Sequence, residues 1–420
     1  MRHSLNQHRV NHKLFFYLIF LSIWLVVFFS QLNLYPQNMT NDLSLYQIPW
    51  WQYLHEHGFH GIATINSELY SQVGDQRHYA DYTSIWYLII VLFSKFGIYP
   101  NILNVAAAIK YIGAIFTLLS SLFAYLIVKH FQKGNTSWQA TIAASLILFI
   151  PPFLGDMLKT NLPDSAYIAL ILLSLLLFLK NKYVLSWLIF GVAIYFKAMA
   201  LYIAPLYIFY YLYTFKENTI IEKIAPIFSF VGLFIAALPG CFAGLTLWDS
   251  ALGTILGRTA STLSAENGFL SLVDGKESFV NFPVISPNNI ASFQTISMAL
   301  MVIFIYLLMF LLFQTKSEKA LAFSMIDLTI VSPIILWFFL PGQHENYFSI
   351  AAVFAFLAFL IVPTKKYFVL FIILNFLVWQ SYHFGPKILF NPYLFVLVMI
   401  YFTWEIFKRS DIQANVLLKP

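Results

Sequence analysis

The chain has 420 residues, of which 60% are hydrophobic and only 10% charged, with a mean hydropathy of +0.75. A water-soluble domain carries about 25% charged residues, so this composition excludes a soluble globular protein and makes lipid the solvent for most of the chain. The formal net charge of +6 is no nucleic-acid signal, because Lys and Arg fall in short clusters between apolar runs, the pattern that orients a polytopic protein. Aromatic residues reach 19%, led by Phe and Tyr, which suits lipid contact and interfacial belts. Cys241 is the sole cysteine, which rules out an intrachain disulfide framework or a cysteine-built metal site.

The first apolar run, Leu14 to Leu34, follows Arg2, Arg9 and Lys13. It is too long for an ordinary signal-peptide core and has no small-residue cleavage site, so it reads as a retained first span with the N-terminus in the cytoplasm. A polar and aromatic outer segment follows, to about Tyr82. Thr83 to Phe96 is apolar but short for a crossing, and reads as an interfacial or re-entrant helix. Counting it as a crossing would place the basic stretch Lys129 to Lys133 outside. Further apolar runs lie near 103–128, 137–152, 165–179, 184–197, 200–214, 225–245, 292–313, 320–340, 347–362, 367–382 and 390–407. The basic turns at Lys180–Lys182, Lys216–Lys223, Lys316–Lys319, Lys365–Lys366 and Lys408–Arg409 then all fall in the cytoplasm. The expected fold is therefore an all-α polytopic bundle of roughly a dozen spans in the cell membrane, with both termini cytoplasmic. It reads as a single integral membrane domain over 1–420, with a first outer loop at 35–102 carrying interfacial helices and a second large outer loop at 246–290.

Under this topology most acids and nearly all candidate general bases gather on the outer face. Asp42 lies a few residues beyond the first span, where a rigid helix holds a carboxylate at fixed depth, as a general base acting on a lipid-borne substrate requires. The competing reading is an N-cap for the aromatic stretch Tyr46 to Tyr53. His55, Glu56, His57 and His60 lack the His-Glu-x-x-His spacing and read as a solvated surface rather than a metal cluster. Asp81-Tyr82 ends the first outer segment, as an acid facing Asp42 or as a cap. Asp156, Lys159 and Asp164 crowd a second outer turn, with Asp164 directly before a span. Either Asp164 caps that span, or Lys159 and the acids bind an anionic headgroup and a sugar hydroxyl. Lys197 sits at the outer end of a span, against the positive-inside pattern. A lysine at that depth has a partner or a role, and a phosphate contact is the preferred reading over snorkelling. His344-Glu345, followed by Asn346-Tyr347, stands at another outer junction, where polar side chains are costly unless used.

Together these motifs resemble the polytopic C-type glycosyltransferases (GT-C fold) that use polyprenyl-phosphate sugars, in the bacterial branch akin to the GPI mannosyltransferases. The pattern spreads over about 350 residues: Asp42, Tyr46, Trp50 or Trp51 and Leu54; Asp81-Tyr82; Asp164-Ser165; Gly191 ahead of Lys197-Ala198; and His344-Glu345-Asn346-Tyr347. The chain departs from that branch at Thr83-Ser84, where it has Pro-Pro, at Asn346, where it has Arg, and before Asp164, where its usual Gly-Gln is missing. Loss of the prolines predicts a looser interfacial helix, and loss of the arginine removes a phosphate contact.

The resemblance implies transfer of a mannose-like or glucose-like hexose from a polyprenyl-phosphate donor to a cell-envelope glycan, lipid or protein acceptor, at the outer face and in contact with membrane lipid. It implies Asp42 as catalytic base, with Asp81, Tyr82, Lys159, Asp164, Lys197, His344, Glu345 and Tyr347 around the substrate. Some relatives use a divalent cation and others none, and the residues leave the metal open. The rival readings are a flippase or transporter of lipid-linked oligosaccharide and a polysaccharide polymerase. A transporter places charges at mid-membrane, whereas here the span centres read as nearly clean. A polymerase exposes arginines on a large outer loop, and 246–290 has only Arg258.

Overall fold

The computed structural model describes residues 2–33, 43–65, 83–96, 102–132, 138–155, 157–158, 164–253, 290–315, 317–340, 347–384 and 391–410. Among these there is no strand, and the regular elements are all helical. The helices are α1 (Arg2–Asn33), α2 (Ile48–His57), α3 (Ser84–Lys95), α4 (Ile102–Phe131), α5 (Trp138–Leu146), α6 (Pro151–Gly155), α7 (Asp164–Leu179) and α8 (Tyr183–Phe196). After a 3₁₀ segment, Ala198–Ile203, come α9 (Ala204–Thr214), α10 (Ile220–Ile224), α11 (Ile227–Ala243), α12 (Ile290–Phe313), α13 (Glu318–Phe339), α14 (Ser349–Ile361), α15 (Lys365–Phe384) and α16 (Asn391–Arg409).

Five segments are long and apolar enough to cross a membrane by length and composition: His12–Leu32, Asn104–Phe131, Trp138–Gly155, Thr295–Phe313 and Glu318–Phe339. Shorter apolar helices include Ser84–Lys95, Asp164–Leu179, Tyr183–Phe196, Ile227–Ala243 and Ser349–Ile361. The surface agrees with lipid as solvent. Along α1, Leu14, Phe15, Leu18, Ile19, Ile23, Val26 and Phe29 are exposed at helical spacing, while Trp24 and Phe28 turn inward. An apolar stripe of that length would make a water-soluble protein aggregate; in lipid it is the expected outer face. Proline sets one local break. Ile150 is extended (φ −69, ψ 147) between the 3₁₀ turn Ile147–Phe149 and α6, because the residue before Pro151 is pushed out of the α region.

The chain divides into two compact units. In the first, Met1–Ala200 with Ile224–Arg258, α7 is the central helix, packed between α4 and α8; α8 in turn packs on α11, α5 on α1 and α4, and α3 on α2 and α11. In the second, Leu201–Lys223 with Thr259–Pro420, α14 is buried along nearly its whole length between α13 and α15, and α13 also packs against α9, α12 and α16.

The closest helix pair in the first unit is a glycine seam. A Cβ added at Gly191 of α8 would lie 1.8 Å from the Ser229 carbonyl oxygen, and one at Gly232 of α11 would lie 2.0 Å from the Leu188 carbonyl oxygen. Small residues let two backbones meet in this way, which is how helices without a water-driven hydrophobic force gain packing energy. Gly191→Ala and Gly232→Ala are therefore expected to force α8 and α11 apart. The cost should be about 3 kcal/mol, the upper end for overpacking, because the clash is with backbone. Gly113→Ala is the control, since its Cβ meets only Ser165 Oγ at an ordinary 3.5 Å. Thermal unfolding in detergent micelles checks this, with the Gly113 variant expected to match or exceed wild type.

Candidate functional site

Asp164 and Lys197 come from different helices and meet inside the first unit. Asp164 is the first residue of α7, where a carboxylate is favoured by the free N–H groups and the helix dipole. Lys197 follows α8 directly. Its backbone turns extended (φ −153, ψ 124) while its N–H still reaches the Ala193 carbonyl at 2.9 Å. This break aims the side chain back at the head of α7, where its ammonium donates to Asp164 Oδ1 in an ion pair with both side chains buried. Tyr167 is three residues beyond Asp164 and so shares its helix face; its ring centroid is 5.7 Å from the same ammonium. Ser165 Oγ donates to the Gly113 carbonyl (3.2 Å), tying the head of α7 to α4. One turn earlier on α4, the buried Lys110 donates from Nζ to the Gln31 carbonyl (3.3 Å) in the last turn of α1, where helix carbonyls carry partial negative charge.

The lysine that broke the positive-inside pattern thus has a protein partner. Two buried charges are tolerable only when paired and hydrogen-bonded. The pair carries no net charge, so what it presents to a substrate is a fixed acceptor and donor, not a bare cation.

Ser84, the first residue of α3, anchors a second polar group. Its N–H and Oγ approach the Tyr195 hydroxyl at 3.2 and 2.6 Å, and that hydroxyl donates to the Ser250 carbonyl at 2.8 Å. Ser250 Oγ donates to the Ala237 carbonyl at 2.6 Å. A proline at 84 has neither the N–H nor the hydroxyl, so Ser84 replaces ring stiffness with hydrogen bonds that hold the start of α3. This offsets the looseness expected from the missing prolines.

His55 and His57 have local roles. His55 Nδ1 hydrogen-bonds Ser94 Oγ; His57 donates from Nδ1 to the Tyr53 carbonyl (2.9 Å), its ring stacked on Tyr53 at 4.1 Å. Among the described residues no group of three His, Cys, Asp or Glu side chains could hold a metal ion.

Of the catalytic and substrate residues that the resemblance implies, Asp164, Lys197 and Tyr347 are described, Tyr347 half-buried in a turn before α14. Asp42, Asp81, Tyr82, Lys159, His344 and Glu345 lie outside the described residues. Two buried charged residues went unmarked in the sequence. Lys110 is one. The other is Asp327, fully buried within α13 of the second unit, which accepts from Lys366 Nζ (2.8 and 2.7 Å), the Tyr367 hydroxyl (2.8 Å) and Arg409 Nη1 (2.6 Å). Both sit in long apolar runs, and an ionisable residue in such a run was the signal available. Asp327, midway along α13, corrects the reading of nearly clean span centres, whereas Lys110 lies near the start of α4.

No family model matches the chain, and no curated protein matches it.

Proposed function

We propose that the chain is a GT-C-type hexosyltransferase, a polytopic protein of about twelve spans that moves a mannose-like or glucose-like hexose from a polyprenyl phosphate to a cell-envelope acceptor at the outer face. The observation that supports this reading is the Asp164–Lys197 pair. Two positions of the motif pattern, on different helices, come together as a buried, directional polar contact beside an aromatic ring. In the proposed reaction Asp42 takes the proton of an acceptor hydroxyl. That oxygen bonds to the anomeric carbon from the face opposite the phosphate, with inversion, and the polyprenyl phosphate leaves with the bonding electrons. The leaving phosphate needs donors aimed at it, for which Lys159 and His344 are the candidates beside Lys197. A donor held in lipid also answers a topological mismatch, since nucleotide sugars are cytoplasmic while the acids of this chain are read as outside.

A second reading, a flippase or transporter of the same lipid-linked sugars, draws on Asp327 and Lys110, charges placed inside apolar helices. Asp327 weighs against it, because three side chains from two other helices already saturate its carboxylate, a lock more than a cycling site.

The test is purified protein supplied with polyprenyl-phosphate mannose or glucose, radiolabelled in the sugar, and a cell-envelope extract as acceptor, scoring label transferred to the acceptor and release of polyprenyl phosphate. Release is expected from wild type, and Asp42→Asn should lower it by at least about a hundredfold, the scale of one general base, with the protein still inserted and folded. Full activity in Asp42→Asn removes the base assignment. Movement of intact donor across vesicles without bond cleavage replaces the enzyme with the flippase.

A further inference from the structure

Gln47 closes a π-type turn, Leu43–Gln47, that runs directly into α2; such turns are rare and concentrate at functional sites. The side chain is only 1% exposed. Its Oε1 accepts from Trp86 Nε1 at 3.3 Å, which fixes which way the amide faces. The other end, Nε2, is buried without a hydrogen-bond partner among the described residues. The N-terminus of α3 repeats the pattern. Thr83 holds the N-cap backbone geometry (φ −82, ψ 157), yet its side chain makes no capping bond. At 5% exposure its Oγ1 is also buried without a partner.

Trp86 links the two groups. Thr83 and Trp86 are three residues apart at the start of α3, so the Thr83 hydroxyl and the indole that holds Gln47 share one helix face. Trp50 and Tyr87, 5.8 Å apart edge to face, stand alongside in the same buried cluster. A buried polar group left unsatisfied is costly, and native proteins keep few of them. Two linked through the Trp86 indole, one a donor and one both donor and acceptor, beside aromatic rings, match what binding sites use to orient a polar ligand in an apolar wall. Both groups are neutral. Phosphate calls for charged partners, whereas an uncharged hydroxyl is matched by an amide N–H and a threonine O–H.

We infer that Gln47 and Thr83 form a hydroxyl-reading subsite for the hexose of the lipid-linked donor. This rests on the hexosyltransferase reading above and deepens it: the pair would select among epimeric sugars while the chemistry happens elsewhere. A site built to hydrogen-bond a sugar hydroxyl rejects the epimer that misplaces it, because its own buried groups then stay unpaired.

The experiment uses the full chain in micelles with polyprenyl-phosphate mannose and polyprenyl-phosphate glucose, comparing wild type with Gln47→Met and Thr83→Val, each close in shape to the original. Each variant is expected to raise KM for the preferred donor about tenfold, the effect of one lost hydrogen bond, and to narrow the preference between the two sugars. The melting temperature of Thr83→Val should hold or rise, since an unpaired polar group has been removed from an apolar site; Gln47→Met also removes the acceptor of the Trp86 indole N–H, so it is read on KM and sugar preference. KM and sugar preference unchanged in both variants, with a lowered melting temperature in Thr83→Val, would show that the two groups are structural, or satisfied by a buried water alone, and would overturn the subsite while leaving the enzyme reading intact. Wild type that releases no polyprenyl phosphate from either donor overturns both.

Discussion

Lys197→Met is expected to cost about 3–5 kcal/mol of stability, the loss seen when one partner of a buried ion pair is removed and the other is stranded. The Lys197 and Asp164 side chains are 4% and 5% exposed, so neither reaches solvent when the other is lost. Asp164→Leu should cost a similar amount, since it strands the ammonium against the Tyr167 ring. The double variant should recover most of the loss, because an apolar pair of similar volume replaces buried charges at little or no net cost. The two changes must therefore be strongly non-additive, and unfolding in micelles of the two singles and the double gives that coupling directly. Additive losses would mean that the pair is not a buried, mutually dependent contact. The same three proteins separate fold from function: a double variant that regains stability yet transfers no sugar assigns the pair to the substrate, and one that regains both assigns it to packing.

Helix positions were legible in the sequence, because apolar runs bounded by lysines and prolines leave few alternatives: 225–245 was read for α11 (Ile227–Ala243) and 320–340 for α13 (Glu318–Phe339). Internal breaks were less legible. The run at 200–214 opens with 3₁₀ turns at Ala198–Ile203 before α9 begins, a change of winding that side-chain hydropathy does not encode. For the candidate site, sequence marked Asp164 and Lys197 individually, each as a polar residue where the membrane makes polarity costly. It did not pair them, because residues 33 positions apart meet only through the packing of α7 on α8. Gln47 carried no signal at all, and Ser84 was marked only as a departure from the prolines of the branch the chain resembles. An amide or a serine at a helix start is ordinary in any sequence, and only burial together with the hydrogen-bond inventory gives them meaning. Lys110 and Asp327 were missed for another reason: window-averaged hydropathy dilutes one charge among many apolar neighbours.

Asp327 leads to the second large effect, and its direction is asymmetric. Asp327 lies inside the apolar helix Glu318–Phe339 and is wholly buried, whereas its cationic partners Lys366 and Arg409 sit at the start of α15 and the end of α16 with side chains 14% and 21% exposed. A long cationic side chain at a helix end can swing its charge to the interface; a short carboxylate in a helix interior cannot. Asp327→Leu is therefore expected to be the milder change, costing about 1–3 kcal/mol, chiefly for the Tyr367 hydroxyl left without its acceptor. Removing both cations, Lys366→Met with Arg409→Met, leaves the carboxylate with Tyr367 alone and should cost about 3–5 kcal/mol or more. Adding Asp327→Leu to that double variant should then restore stability, since the stranded charge is gone. Melting of the three variants in micelles reads this order. If Asp327→Leu proved as damaging as loss of both cations, the cations could not be escaping to the interface, and the end of α16 would have to be closed off from water on every side.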